Sequence, residues 1–144
     1  MPVKRSEPER YFNGYHEPKT LIGRVTKPKI GIDGSWANFT LSVPRVDENG
    51  ERKADYFLVW VPEGQIERFS ELFPTEVKRT AKAITLDASP FRTVRVPFES
   101  LRSEARVFNG RAYGDMVAKT LKIDFDAAPD AYMAVREAEV TRAK

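Results

Sequence analysis

The alternation of apolar and polar residues predicts that most of this chain forms β-strands. The clearest alternation lies in residues 35–43. One face of that segment is apolar throughout and carries Ala37, Phe39, Leu41 and Val43. The other face is polar except for Trp36, its single large apolar side chain. We therefore expect Phe39 in a hydrophobic core and Trp36 on the surface.

A second predicted strand, residues 54–61, is apolar on both faces. It follows an Asn49-Gly50 pair, which is a strong signal for a tight hairpin turn. One face carries Phe57, Val59 and Val61, and the other carries Tyr56, Leu58 and Trp60. A small domain buries one of these faces in its core, so we expect a ligand or a partner chain to cover the other.

The remaining elements are predicted from weaker patterns. A β-branched run at 20–26 predicts the first strand, which Lys27-Pro28-Lys29 should end, and 30–34 reads as a turn-rich link. Helical spacing of apolar residues predicts a helix over 65–73, stopped by Pro74. Further predictions are a strand at 81–87, a short strand at 93–96, a turn at 98–101, a hairpin turn at Asn109-Gly110 and a long strand at 112–125.

This order of elements, strands with one helix between the third and the fourth, predicts a mainly β fold. It is the order of an OB-fold, a five-stranded Greek-key barrel. We expect an N-terminal arm at 1–18, the OB-fold domain at 19–126 and a C-terminal helix or tail at 127–144.

Composition excludes several classes of function. The chain has 144 residues, no cysteine and one histidine, His16, which argues against disulfides, thiolate metal sites and a Ser-His-Asp triad. We expect no catalytic residues, no metal and no cofactor, and a cytoplasmic protein without membrane contact. The net charge of +3 is carried by the predicted domain, which is compatible with an anionic partner.

Three stretches resemble bacterial single-stranded DNA-binding proteins. They are 21–28 (LIGRVTKP), 34–43 (GSWANFTLSV) and 49–57 (NGERKADYF). Residues 64–69 are similar to the start of that family's helix, and 110–113 with Met116-Val117 to its last hairpin. The resemblance implies single-stranded DNA as partner. Because residues 54–61 are apolar on both faces, we also expect a homo-dimer or tetramer. Since the chain ends in EVTRAK, we expect the family's acidic recruiting tail to be absent and the protein to be a divergent member, such as one encoded by a phage or mobile element.

Binding single strands without sequence preference requires flat rings for the bases and cations for the phosphates. The candidate stacking residues are Trp36, Tyr56 and Trp60. The candidate phosphate contacts flank the predicted loops: Arg24, Lys27, Lys29, Arg45, Arg52, Lys53, Arg106 and Arg111.

We expect a non-catalytic protein that protects single-stranded DNA in replication or recombination. Two alternatives stay open: an OB-fold module that binds another protein through the apolar outer face of residues 54–61, and a binder of single-stranded RNA.

Overall fold

An eight-stranded sheet forms the body of the computed structural model, which describes residues 13–15, 17–89 and 92–126, with the backbone alone at 105–108, 112 and 113. The strands are β1 (Thr20–Gly31), β2 (Ala37–Val46), β3 (Arg52–Trp60), β4 (Glu76–Arg79), β5 (Ala83–Leu86), β6 (Thr93–Pro97), β7 (Ser100–Phe108) and β8 (Arg111–Lys119). Helix α1 (Ile66–Leu72) follows a 3-10 turn at Glu63–Gln65. The hydrogen-bonded strand order is β4-β5-β1-β2-β3-β8-β7, and β6 also pairs with β1.

The pairing reproduces the five-stranded OB pattern with three further strands, β4, β5 and β7. Strands β1, β2 and β3 form an antiparallel meander, and α1 lies between β3 and the strands that follow it. Strand β6 returns antiparallel to β1, and β8 runs parallel to β3. A bridge between Arg95 and Asp124 then brings the chain after β8 back beside β6. The predicted mainly β OB-fold is therefore confirmed, with β7 and the hairpin β4–β5 as additions to the five strands β1, β2, β3, β6 and β8.

The core lies on the inner faces of β1, β2, β3 and β6, and α1 packs against it. The inner residues of β2, Ala37, Phe39, Leu41 and Val43, are fully buried as predicted. The ring of Phe39 stacks on Phe69 of α1 with 5.8 Å between the centroids. Burial of Ile66 and Phe69 attaches the seven-residue helix, which is too short to be stable alone.

The predicted end of the first strand at Lys27 is wrong. Strand β1 continues to Gly31, and its register with β2 shifts between Thr26 and Lys29. Lys27 has a φ of 48°, and Pro28 is fully buried. A proline is tolerated in a strand at such an irregularity because its missing N–H is not needed there. The bulge therefore accommodates Lys27-Pro28-Lys29 within the strand.

Several predictions for the second half of the domain are also wrong. Strand β4 was not predicted, because its sequence shows no alternation of apolar and polar residues. That pattern is missing because all four residues of the strand are exposed. The expected turn at 98–101 gives way to β7, which starts at Ser100 and forms a regular hairpin with β8 around Asn109-Gly110. The expected final strand ends early, at Lys119, and only Asp124 bridges beyond it.

Residues 13–15 are attached to the meander. The Gly14 N–H donates to the carbonyl of Pro44 at 2.8 Å, and the Gly14 carbonyl accepts from the Ile22 N–H at 2.9 Å. A side chain at Gly14 would overlap the Ile22 carbonyl and Val43. The rest of the predicted arm (1–12), His16 and the predicted C-terminal tail (127–144) lie outside the described residues.

Candidate nucleic-acid interface

The outer face of the β1–β2–β3 meander is a regular grid of three kinds of side chain. Directly paired residues of neighbouring antiparallel strands point to the same side of a sheet. The cross-strand rows from β1 through β2 to β3 are Lys29–Asn38–Trp60, Thr26–Thr40–Leu58 and Arg24–Ser42–Tyr56. Strand β1 therefore contributes two cations, β2 small polar groups, and β3 two aromatic rings flanking a leucine.

The two β1 cations of the grid are joined by a third in the bulge. Lys27 and Lys29 are exposed, and no ion pair is recorded for either within the described part of the chain. Arg24 is exposed at the opposite end of the grid from Lys29, where it pairs with Ser42 and Thr93. The sequence-based candidates Arg24, Lys27 and Lys29 thus lie along one side of the outer face.

Trp36 and Trp60 form a composite aromatic surface at one end of the grid. Their ring centroids are 5.8 Å apart, and the rings meet edge to face at 64°. Trp60 is 47% exposed, and Trp36 is half-buried because it lies over Gly31 of β1. A Cβ at Gly31 would come within 2.5 Å of Trp36 Nε1. Gly31 therefore sets the position of Trp36, which in turn supports one edge of Trp60.

Tyr56 is the most exposed ring of the face, with 62% of its surface accessible. It is four residues from Trp60 on β3, a separation of about 13 Å at the rise of an antiparallel strand. Between the two rings, Leu58 is half-buried. An open groove of about 410 Å³ crosses this part of the face, and its walls are Lys27, Lys29, Asn38, Thr40, Tyr56, Leu58, Gly114, Asp115 and Met116.

Arg45, in the β2–β3 hairpin, lies on the face of β2 and β3 opposite the grid. Arg45 Nε donates to both carboxylate oxygens of Asp55, at 2.9 and 3.0 Å. By alternation both residues share the side of Phe57, whose ring contacts Tyr15. The Tyr15 hydroxyl also donates to Asp55. Burial, reinforced by that hydrogen bond, raises the pKa of Tyr15, while the hydrogen bond to Asp55 raises the pKa of Arg45.

The remaining hairpin cations are not part of the grid. Lys53 lies on the same side as Arg45 and forms an ion pair with Glu51 at 3.3 Å. Arg52 is exposed at the tip of the β2–β3 hairpin, on the side of the grid by alternation. Arg106 and Arg111 belong to the β7–β8 hairpin, where Arg111 is exposed next to the turn; of Arg106 only the backbone is described.

Sequence reasoning missed several residues of this face. Alternation with Phe39 and Leu41 placed Asn38 and Thr40 on the outward face of β2. No pattern in the sequence showed that these two residues line the groove. Gly31 had no signal beyond its place in the predicted turn-rich link at 30–34. Met116 reaches the groove because β8 pairs in parallel with β3, a pairing that no local pattern encodes.

Two features are absent from the described residues. No cluster of three or more His, Asp or Glu side chains there could hold a metal ion. Within the same residues, no helix is long and apolar enough to cross a membrane.

Comparison with known proteins gives matches among solved structures. No family model matches the chain, and no curated protein matches it either. A small single-stranded DNA-binding protein from Streptomyces coelicolor is 16% identical, with a TM-score of 0.47 over 75% of this chain and 92% of that one. An SSB from Plasmodium falciparum in complex with ssDNA is 19% identical, with a TM-score of 0.43 over 73% of this chain and 88% of that one.

A third match is a small single-stranded DNA-binding protein from Mycoplasma pneumoniae. It is 11% identical, with a TM-score of 0.39 over 76% of this chain and 92% of that chain. All three are described as single-stranded DNA-binding proteins.

Proposed function

We propose that this protein binds single-stranded DNA, without catalysis, on the outer face of the β1–β2–β3 meander. The observation that carries the proposal is the grid itself: cations on β1, small polar groups on β2 and exposed aromatic rings on β3. Non-specific single-strand binding requires stacking surfaces and a positively charged path at matching distance. Strands β1 and β3 are two strand spacings apart, about 10 Å.

In this mode the bases stack on β3 and the phosphates face β1. Trp60, backed by Trp36, and Tyr56 each accept one base, and stacking contributes about 1–3 kcal/mol per base. Lys27, Lys29 and Arg24 face the backbone and release its counterions. The amide of Asn38 and the hydroxyls of Thr40 and Ser42 supply hydrogen bonds between them without requiring a particular base.

The hairpin cations contribute less to this mode. Arg45 is held by Asp55, and Lys53 by Glu51, on the side of the sheet away from the rings. Arg52 and Arg111, at the two hairpin tips, can reach only a strand that extends beyond the grid. For Arg106 only the backbone position on β7 is described, and its contact with DNA stays a prediction.

Fluorescence titration with oligo(dT) tests the proposal directly. The two tryptophans of the chain both belong to the proposed site, so every change in indole emission reports on it. We expect strong quenching that saturates and that weakens as salt is raised. An absence of binding would contradict the proposal and favour the protein-interaction module. Tighter binding of oligo(U) RNA than of oligo(dT) would favour the RNA alternative.

We also propose that the protein self-associates, as a dimer or a tetramer. Tyr56, Trp60 and Met116 are exposed in the single chain, where Tyr56 and Met116 line the same groove, and monomeric proteins seldom leave large apolar patches in water. Sedimentation at micromolar concentration tests this: a 16.4 kDa species alone would contradict it.

A further inference from the structure

The hairpin β4–β5, which the five-stranded OB pattern does not contain, lies edge to edge with the cationic strand of the proposed site. Strand β5 pairs with the last residues of β1, where Lys29 is directly opposite Thr85. In the hairpin, Thr85 is in turn opposite Lys78 of β4. The row that begins at Trp60 and passes through Asn38 and Lys29 therefore continues through Thr85 to Lys78.

Register shows that Lys78 faces the same side as the grid. The neighbouring row runs through Ala37, Ile30, Ile84 and Arg79. Ala37 is fully buried, and Ile30 and Ile84 pack against the core, so that row faces inward. Because successive residues of a strand alternate, Lys78 and Thr85 face outward with Lys29 and Trp60.

The charge of this extension is positive. Lys78 is exposed, and no ion pair is recorded for it in the described part of the chain. The acidic residue of the same strand, Glu76, is bonded by Arg79 through two hydrogen bonds of 2.7 and 3.1 Å, which lowers the pKa of Glu76. The exposed Lys82 adds a cation in the turn between β4 and β5.

We propose that the outer face of the β4–β5 hairpin is a second phosphate-binding segment, which holds single-stranded DNA where it leaves the Trp60 end of the grid. The proposal rests on the function proposed above and extends its site across two further strands. The row from Trp60 to Lys78 spans four strand spacings, about 19 Å. At about 3.4 Å per nucleotide, the spacing of a stacked strand, that corresponds to roughly five or six nucleotides.

Length-dependent binding of Lys78→Gln tests the segment. We compare it with the wild type and with Lys122→Gln, which removes the same charge from an exposed lysine next to Ile123, beside the start of α1. The probe is oligo(dT) from about 4 to 16 nucleotides, the range of site sizes found for OB-folds. Lys78→Gln should leave the shortest oligomers unaffected and weaken only those long enough to reach the hairpin.

Salt dependence gives the size of the effect. One phosphate contact on a single strand contributes about 0.7 to the slope of log affinity against log salt. Between 50 and 200 mM salt, long oligomers should therefore lose about 2.6-fold more affinity for the wild type than for Lys78→Gln. Thr85→Lys, which adds a cation in the same row, should steepen the slope by the same amount.

The outcomes separate this proposal from the function on which it rests. A wild type that binds no oligo(dT) of any length overturns both. A wild type that binds oligo(dT), with Lys78→Gln equal to it at every length, overturns the hairpin segment alone. Equal weakening by Lys78→Gln and Lys122→Gln at all lengths also overturns the segment, since it shows an effect of net charge without contact.

Discussion

Successive residues of β2 and β3 alternate between an inner and an outer face, and the two faces differ in almost every physical property. Inward, Phe39, Leu41 and Val59 are fully buried in the hydrophobic core, where Phe39 stacks on Phe69 of α1. Outward, Tyr56 and Trp60 are 62% and 47% exposed above a polar strand. The inner face can account for stability and the outer face for binding, so substitutions on the two faces should affect different measurements.

The largest expected effect is on stability, at Phe39. Phe39→Ala removes a fully buried ring that stacks on Phe69, and truncation of a buried phenylalanine costs about 3–5 kcal/mol. Chemical denaturation should show this loss, while oligo(dT) affinity measured below the unfolding transition stays close to that of the wild type. Phe39→Leu serves as the milder control. A stable Phe39→Ala protein with lost affinity would mean that the two faces are exchanged.

The second effect is on binding, at Trp60. Trp60→Ala removes the more exposed ring of the composite platform and should weaken oligo(dT) binding by about 1–3 kcal/mol, or about 5- to 150-fold. The melting temperature should change little, because the indole is half in solvent. Anisotropy with a labelled oligonucleotide measures the affinity without relying on the tryptophans. Unchanged affinity would show that the Trp60 ring does not bind a base.

The separation of the faces was predictable from the sequence because it follows from a period of two residues. One buried face requires apolar residues at alternate positions, and β2 shows them from Ala37 to Val43. The same reasoning failed in β1, where Lys27-Pro28 was taken as an end. The sequence Lys-Pro-Lys is compatible with a bulge and with the end of a strand. The pairing of Lys29 with Asn38 shows that it forms a bulge here.

The partners of the charged residues were not predictable from the sequence. Arg45 and Lys29 both flank predicted strands, and both were taken as phosphate contacts. Arg45 meets Asp55 across the hairpin, and Lys29 does not meet an acidic group among the described residues. The contact of Trp36 with Trp60 depends in the same way on the register between strands. The hairpin β4–β5 carries no apolar pattern, so its alignment with Lys29 emerged only from the fold.

A third effect sharpens the role of the tryptophan pair. Gly31→Ala should displace Trp36, because the added Cβ would come within 2.5 Å of its indole nitrogen. The adjacent indoles of Trp36 and Trp60 should give an exciton signal in circular dichroism, and we expect Gly31→Ala to lose it. The loss of oligo(dT) affinity should be smaller than in Trp60→Ala. Trp36→Ala should give the same affinity change without the clash. An unaltered exciton signal in Gly31→Ala would show that Gly31 does not position the ring.

The smallest effects distinguish the cations of the two faces. Lys29→Gln should lower the slope of log affinity against log salt by about 0.7, the contribution of one phosphate contact. Lys53→Gln removes the same charge from the other side of the sheet, where Lys53 pairs with Glu51. We expect no measurable change of slope for Lys53→Gln, since an exposed ion pair has little energy to lose and no phosphate lies near it. Titration of both variants over a range of salt concentrations decides the matter. Equal slopes for the two variants would mean that binding responds to net charge alone and that the grid does not direct the DNA backbone.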